Sequence, residues 1–200
     1  MHIPELYKNE DPEDIARFIG QNGFATLVTA HDGNPWATHL PLMMRTIGTK
    51  QFLHGHISAE NPQSRWLESG EVLAIFLGPD AYISSSWYDH ENVPTWNYIS
   101  VHIYGKVRVF DWDETLEHLS ELTRHYEKDS KNPVSVEALS QKTMLQARGV
   151  TAFEIEITAV HAKRKLSQNR DAKNHAAIVA ELEMRSNGRD CEIAREMKKG

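Results

Sequence analysis

One cysteine, Cys191, occurs in 200 residues, so no internal disulfide can form. A chain of this kind suits a reducing compartment, and a cytoplasmic location is expected. Long apolar runs are also missing. The longest, "VLAIFLG", is far short of the roughly 20 residues that span a bilayer. The opening "MHIPELYKNEDPEDI" is acidic and has no apolar core segment, so it does not read as a signal peptide. Positive charge is scarce: the net charge is -6. A direct nucleic-acid partner is therefore possible only through a local patch and is not favoured by the bulk electrostatics. GxSxG, a Walker loop and GxGxxG are all absent, which removes serine hydrolase, P-loop and Rossmann readings. No internal repeat or low-complexity linker is present. What remains is ordinary globular material, 40% hydrophobic and 25% charged, and long enough to bury a real core.

The pattern along the chain is mainly β. "DPEDIARFIGQNG" carries a capping Asp11, Pro12 at the first helical position and an apolar stripe of Ile15, Phe18 and Ile19. "FATLVTAH", "WATHLPLMMR" and "QFLHGHIS" follow as strands, separated by "HDGNP" and "TIGTK", which predicts an antiparallel meander. Asn61 and Pro62 open a short helix that Gly70 stops. "EVLAIFLG" predicts a strand buried on both faces, with a further short strand and a loop after it. "DETLEHLSELTRHYEKD" and "VEALSQKTMLQARG" predict amphipathic helices, "VTAFEIEITAVHAKRKL" a strand pair, and residues 171–200 two terminal helices.

"VPTWNYISVHIYGKVRV", residues 93–109, alternates over its whole length and predicts one long strand. One parity (Asn97, Ile99, Val101, Ile103) is fit for a core. The other (Trp96, Tyr98, His102, Tyr104) faces outward against something else. Six or seven strands with inserted helices and a helical tail indicate a β-barrel rather than a doubly wound sheet.

Four stretches combine polar groups with apolar surroundings. In "LHGHI", His54 and His56 share one strand face, and His39 is a further imidazole that could complete a zinc or haem site. Eleven histidines in one chain make such pairs common by chance, and no metal is assigned. "ENPQSRW" offers helix-start N–H groups to a phosphate, or a plain cap. "SSSWY" offers hydroxyls and an indole. "KLSQNR" lies in the one basic run, "HAKRKLSQNRDAK", where Lys163, Arg164, Lys165, Arg170 and Lys173 either meet an anion or lie in a solvated loop.

Taken together and in order, "FATLVT", "THLP", "LHGHISAENPQ", "VLAIFLGPDAYISSSWY", "VPTWNY" and "KLSQNR" resemble the PaiB family, from near the start to about Ala180. The resemblance implies a split β-barrel of the FMN-binding type with peripheral and C-terminal helices. It implies a barrel domain over 1–170, a helical extension over 171–200, and a homodimer with FMN at the subunit interface. The family is described as a negative transcriptional regulator. Its split-barrel relatives include flavin oxidases and haem-degrading proteins, so a redox enzyme, a haem binder using His39, His54 or His56, and a non-enzymatic regulator acting through protein contacts or DNA are the alternatives. On the family pattern, Thr38, His39 and Leu40 lie along the flavin ring, and His56, Ser58, Asn61 and Gln63 near the ribityl phosphate. Ser86, Trp87, Trp96 and Asn97 come from a neighbouring segment or the other subunit. Lys165, Gln168 and Arg170 supply the basic grip. The oxidase pattern sets several Arg and Lys around the phosphate, whereas this stretch has Arg65 alone, so either neutral donors and "KLSQNR" hold the phosphate or flavin binding is weak or lost.

Overall fold

A computed structural model describes residues 1–199. The first helix, α1 (Pro12–Gln21), starts where Asp11 Oδ1 accepts from the Glu13 and Asp14 backbone N–H groups, at 2.9 and 3.3 Å. The meander forms as β2 (Phe24–His31), β3 (Asn34–Ile47) and β4 (Lys50–Ser58), paired antiparallel. Asp32 and Gly33 turn β2 into β3 with φ of 50° and 77°, the left-handed pair that a tight hairpin needs. A two-residue strand, β1 (Lys8–Asn9), pairs with β7 (Val150–Lys165), and β7 pairs with β4. With β5 (Glu71–Ile83) and β6 (Thr95–Val109), the order is β1-β7-β4-β3-β2-β5-β6, and β6 pairs again with β7. Four further α-helices follow, α2 (Trp112–Glu127), the single turn α3 (Gln141–Met144), α4 (Ala172–Met184) and α5 (Gly188–Met197). Among the described residues no helix is long and apolar enough to cross a membrane.

Several elements differ from the sequence pattern. β5 continues through Gly78 and Pro79 to Ile83, merging the two expected strands. The Phe18 ring lies over Gly78 where a Cβ would sit, so the strand passes beneath it without a side chain. Nor is β5 buried on both faces, since Leu77 is 57% exposed. Residues 150–165 form one strand, because "TAVHA" contains no turn residue to break it. Residues 136–149 do not form one helix. Leu139 and Ser140 are extended, and Ser140 caps the single turn α3. The Asn61 segment is one 3-10 turn, Pro62–Arg65.

The chain divides into two compact units: Met1–Phe18, Phe76–His102 and His161–Gly200 in the first, Ile19–Ile75 and Ile103–Val160 in the second. In the first, Phe76, Ile83, Ile99, Ile178, Leu182 and Ile193 are buried. In the second, Leu27, Leu42, Leu53, Ile103, Phe153 and Ile155 are buried. The core parity of β6 is as the alternation requires. The opposite parity is more covered than expected. Ser100 is buried and Tyr98 carries the Lys163 ammonium 5.2 Å from its ring centroid, so Trp96 is the large side chain left at 53% exposure on the first-unit part of this strand.

Candidate functional site

In the second unit, β3 presents Thr38 half-buried, His39 exposed and Leu40 buried in the core. His39 Nδ1 is 3.0 Å from Thr26 Oγ1 across the β2–β3 pair, and its ring stacks near Phe24, itself 70% exposed. On β4, Gly55 separates His54 from His56. A Cβ there would overlap the Leu42 side chain, so the glycine lets β3 pack closely over the histidine strand. His54 and His56 lie toward α2. His56 Nδ1 is 3.1 Å from Nε2 of His118, and the Phe110 edge meets the His54 ring at 5.1 Å. Burial pushes the pKa of all three imidazoles down, that of His118 to about 3, with the neighbouring His56, His54 and Arg45 charges adding to the effect on His118.

Ser58 ends β4, its Oγ accepting from Glu60 N–H at 3.2 Å. Asn61 is then a joint: Oδ1 accepts from Gln63 N–H at 3.0 Å and Nδ2 donates to Thr38 Oγ1 at 2.8 Å. Gln63 is wholly buried and donates to Thr29 Oγ1 at 3.0 Å. Thr38, Asn61 and Gln63 are thus connected, with Asn61 in the middle.

The other predicted residues lie in the first unit. Ser86 sits in the 3-10 turn Ser85–Trp87, 2.8 Å from the Ser84 hydroxyl. Arg185 covers the Trp87 ring at 4.8 Å. Trp96 meets Tyr82 edge-on at 5.8 Å. Asn97 is wholly buried and exchanges two hydrogen bonds with the Ser167 hydroxyl, at 3.0 and 3.1 Å. That exchange anchors "KLSQNR". Ser167 has φ 62°, and Gln168 closes the loop by accepting from Leu166 N–H at 2.7 Å and donating to the Arg164 carbonyl at 2.6 Å. The loop is built rather than merely solvated.

Its cations divide into two groups. Arg164 is held by Asp14 and Glu196, and Lys173 by Asp89. Lys163, Lys165 and Arg170 have no carboxylate partner among the described residues. Lys165 bonds the Thr95 hydroxyl. Its pKa is lowered, first by burial and then by the Lys163 and Arg170 charges. The Arg170 guanidinium lies 4.8 Å over the Tyr88 ring, while Arg170 Nε and the Tyr88 hydroxyl are both buried without a hydrogen-bond partner.

Comparison with known proteins decides the family. The model described as "putative FMN-binding domain" matches residues 1–159. The chain is 42% identical to the Bacillus subtilis protein named protease synthase and sporulation protein PAI 2, over 94% of this chain and 91% of that one. The chain belongs to this PaiB family of FMN-binding-domain proteins. Solved structures agree on the fold. The FAD and heme binding protein from Mycobacterium smegmatis matches with TM-score 0.65 at 19% identity, over 86% of this chain and 79% of that one. The flavocytochrome Anf3 from Azotobacter vinelandii matches with TM-score 0.63 at 16% identity, over 88% and 78%. The seven-stranded antiparallel sheet with its helices is a split barrel.

Within this family member, the histidine that sequence reading passed over is His118. Its signal was present: Thr115 and His118 interrupt the apolar stripe of α2 three residues apart, and both are buried. A polar side chain at an inward position needs an internal partner, and His56 is that partner.

Proposed function

We propose that this chain binds FMN and acts as a homodimeric flavoprotein, with residues 1–170 as the flavin domain and 171–200 as appended helices. The observation that carries the reading is the triplet Lys163, Lys165 and Arg170, without counter-ions and held in place by a loop stitched through Asn97, Ser167 and Gln168. Unpaired buried charge is costly, and two orphaned polar atoms, Arg170 Nε and the Tyr88 hydroxyl, add unmet hydrogen-bonding capacity. A phosphate monoester, which carries close to two negative charges and several acceptor oxygens, fits that chemistry. In the second unit the resemblance implies Thr38, His39, Leu40, His56, Ser58 and Asn61, with Gln63 behind them, as flavin residues. Ser86, Trp87 and Trp96 are those of the first.

Flavin supplies redox chemistry when bound. The output is either that redox step or a regulatory signal, the latter carried over from the description of the family that the chain resembles. Net charge -6 favours a regulatory output through protein contacts over tight DNA binding. Phe24, Leu77 and Trp96, at 70%, 57% and 53% exposure, favour a dimer. A monomer by sedimentation at micromolar concentration would contradict it.

FMN titration by fluorescence quenching tests the flavin site. Lys165→Ala and Arg170→Ala are expected to weaken binding by roughly 1–3 kcal/mol each, the scale of a lost charge-assisted bond. Parent-like affinity in both would remove "KLSQNR" from the site. An absorbance scan of the purified protein showing a Soret band in place of flavin bands would favour haem.

A further inference from the structure

His118 is 1% exposed, and its two ring nitrogens have unequal surroundings. Nε2 lies 3.1 Å from His56 Nδ1. Nδ1 is buried with no hydrogen-bond partner. A neutral imidazole carries one N–H and one bare nitrogen, so the 3.1 Å contact has two solutions. In the first, His56 donates from Nδ1 to a bare Nε2 of His118. His118 must then carry its own hydrogen on Nδ1, as a buried N–H with no acceptor. In the second, His118 donates from Nε2 to a bare Nδ1 of His56, and the orphaned Nδ1 is only an unused lone pair. A buried N–H without an acceptor is the rarer and costlier defect. The second solution is therefore favoured, and it places the hydrogen of His56 on Nε2.

We propose that His118 is a positioning residue, whose Nε2–H···Nδ1 bond holds His56 in the tautomer that offers an N–H at Nε2 to an acceptor atom of the flavin. The proposal rests on the assignment of His56 to the flavin site made above. His56 is half-buried, and its Nε2 has no partner among the described residues, so the donor is available. The nearby charges do not compete for either ring. Arg45 is paired with Glu121, and Arg108 with Glu114 and Glu154. Glu154 also lies 3.6 Å from His54 Nε2, beyond hydrogen-bond reach. The His54 and Phe110 rings neighbour that of His118, with centroids 6.3 and 6.2 Å away. Both imidazoles are neutral near pH 7, because burial lowers both pKa values, so the tautomer rather than the charge is what the pair transmits. A bare nitrogen at Nε2 would repel a phosphate or carbonyl oxygen, whereas an N–H binds it. The same relay by which an outer residue sets the free nitrogen of a histidine operates behind metal-bound imidazoles.

Nitrogen NMR of histidine-labelled protein without flavin reads the tautomers directly. His56 and His118 are both expected in the Nε2–H form, and an Nδ1–H form of His118 overturns the proposal. Two variants then separate positioning from packing. His118→Gln retains an amide donor and is expected to keep His56 in the Nε2–H form with FMN affinity close to the parent's. His118→Phe fills the space without a donor and is expected to let His56 mix tautomers and to lower FMN affinity about tenfold. Parent-like affinity in a folded His118→Phe variant overturns the positioning role. If that variant does not fold, the NMR of the parent and the behaviour of His118→Gln still decide. His56→Ala guards the premise: parent-like FMN binding there removes His56 from the flavin site, even with both tautomers as expected, so the two failures are read from different experiments.

Discussion

His56 and His118 in one unit, and Lys165 and Arg170 in the other, are basic side chains placed out of reach of any carboxylate among the described residues. The first pair can discharge. An imidazole near neutral pH loses its proton readily, so burial lowers its pKa and the pair becomes a neutral hydrogen-bonded unit. The second pair has no such exit. A guanidinium does not deprotonate in a protein, and the Lys165 ammonium, though its pKa is lowered, starts from 10.5. One cluster reaches neutrality within the chain alone, and the other keeps its positive charge there. The histidine cluster therefore reads as a relay behind a site and the lysine–arginine cluster as the charge of a site.

Acid should break the first cluster most. Burial pushes the His118 pKa down from the ordinary imidazole value of 6.5 to about 3 in the folded chain. Between those values the unfolded chain binds more protons than the folded one. Stability is therefore fully present above about pH 6.5 and is lost as pH falls toward 3, by about 1.4 kcal/mol per pH unit for one such group. His54 and His56 shift in the same direction. Urea melts at pH 7.5 and pH 5 should differ accordingly, and His118→Gln should reduce the difference. Equal stability at both pH values would mean that the imidazoles are not buried neutral.

The second cluster should show the reverse signature. Arg170→Ala and Lys165→Ala relieve like-charge repulsion, so the melting temperature without flavin is expected to stay level or rise while FMN affinity falls by roughly 1–3 kcal/mol. A variant that melts lower and binds FMN normally would make the cluster structural, a brace for Tyr88 and Thr95. Phosphate, sulfate and FMN added in turn to the parent should each raise the melt, FMN most, by mass action on the folded state.

Much of this was legible in the sequence because strand and turn chemistry is local. The Asp-Gly hairpin, the alternation of 93–109 and the Asp11 cap each act within a few residues, and each appears as expected except that the strand starts at Thr95 and leaves Val93 exposed. The elements that were misread depend on length. No residue near 158–161 stops a strand, so β7 runs on as one, and Ser140 caps strongly enough to cut a plausible helix in two. Of the site, the residue types were visible and their use was not. "KLSQNR" was visible as basic, but whether it was free depended on Asp14, Glu196 and Asp89, distant acids that take Arg164 and Lys173 and leave Lys165 and Arg170. His118 was hidden for the same reason: its partner, His56, is 62 residues away.

The smallest effect expected is at Asn61, and it bears on how a phosphate can be held in the second unit. A helix of several turns would bring aligned N–H groups and a dipole to its start. The structure has instead a four-residue 3-10 turn, Pro62–Arg65, whose first residue is a proline with no N–H to offer. The dipole contribution is correspondingly slight, and Asn61 acts chiefly as a joint, accepting from Gln63 N–H and donating to Thr38 Oγ1. Asn61→Ala removes both bonds and should cost about 1 kcal/mol of stability, as cap deletions do. Its effect on FMN affinity should be smaller than that of either charge deletion. Asn61→Asp keeps the acceptor for Gln63 N–H, loses the donor to Thr38 and adds a negative charge. It should therefore recover part of the melt and bind FMN less well than Asn61→Ala. If Asn61→Asp instead binds FMN as the parent does, no phosphate lies near residue 61.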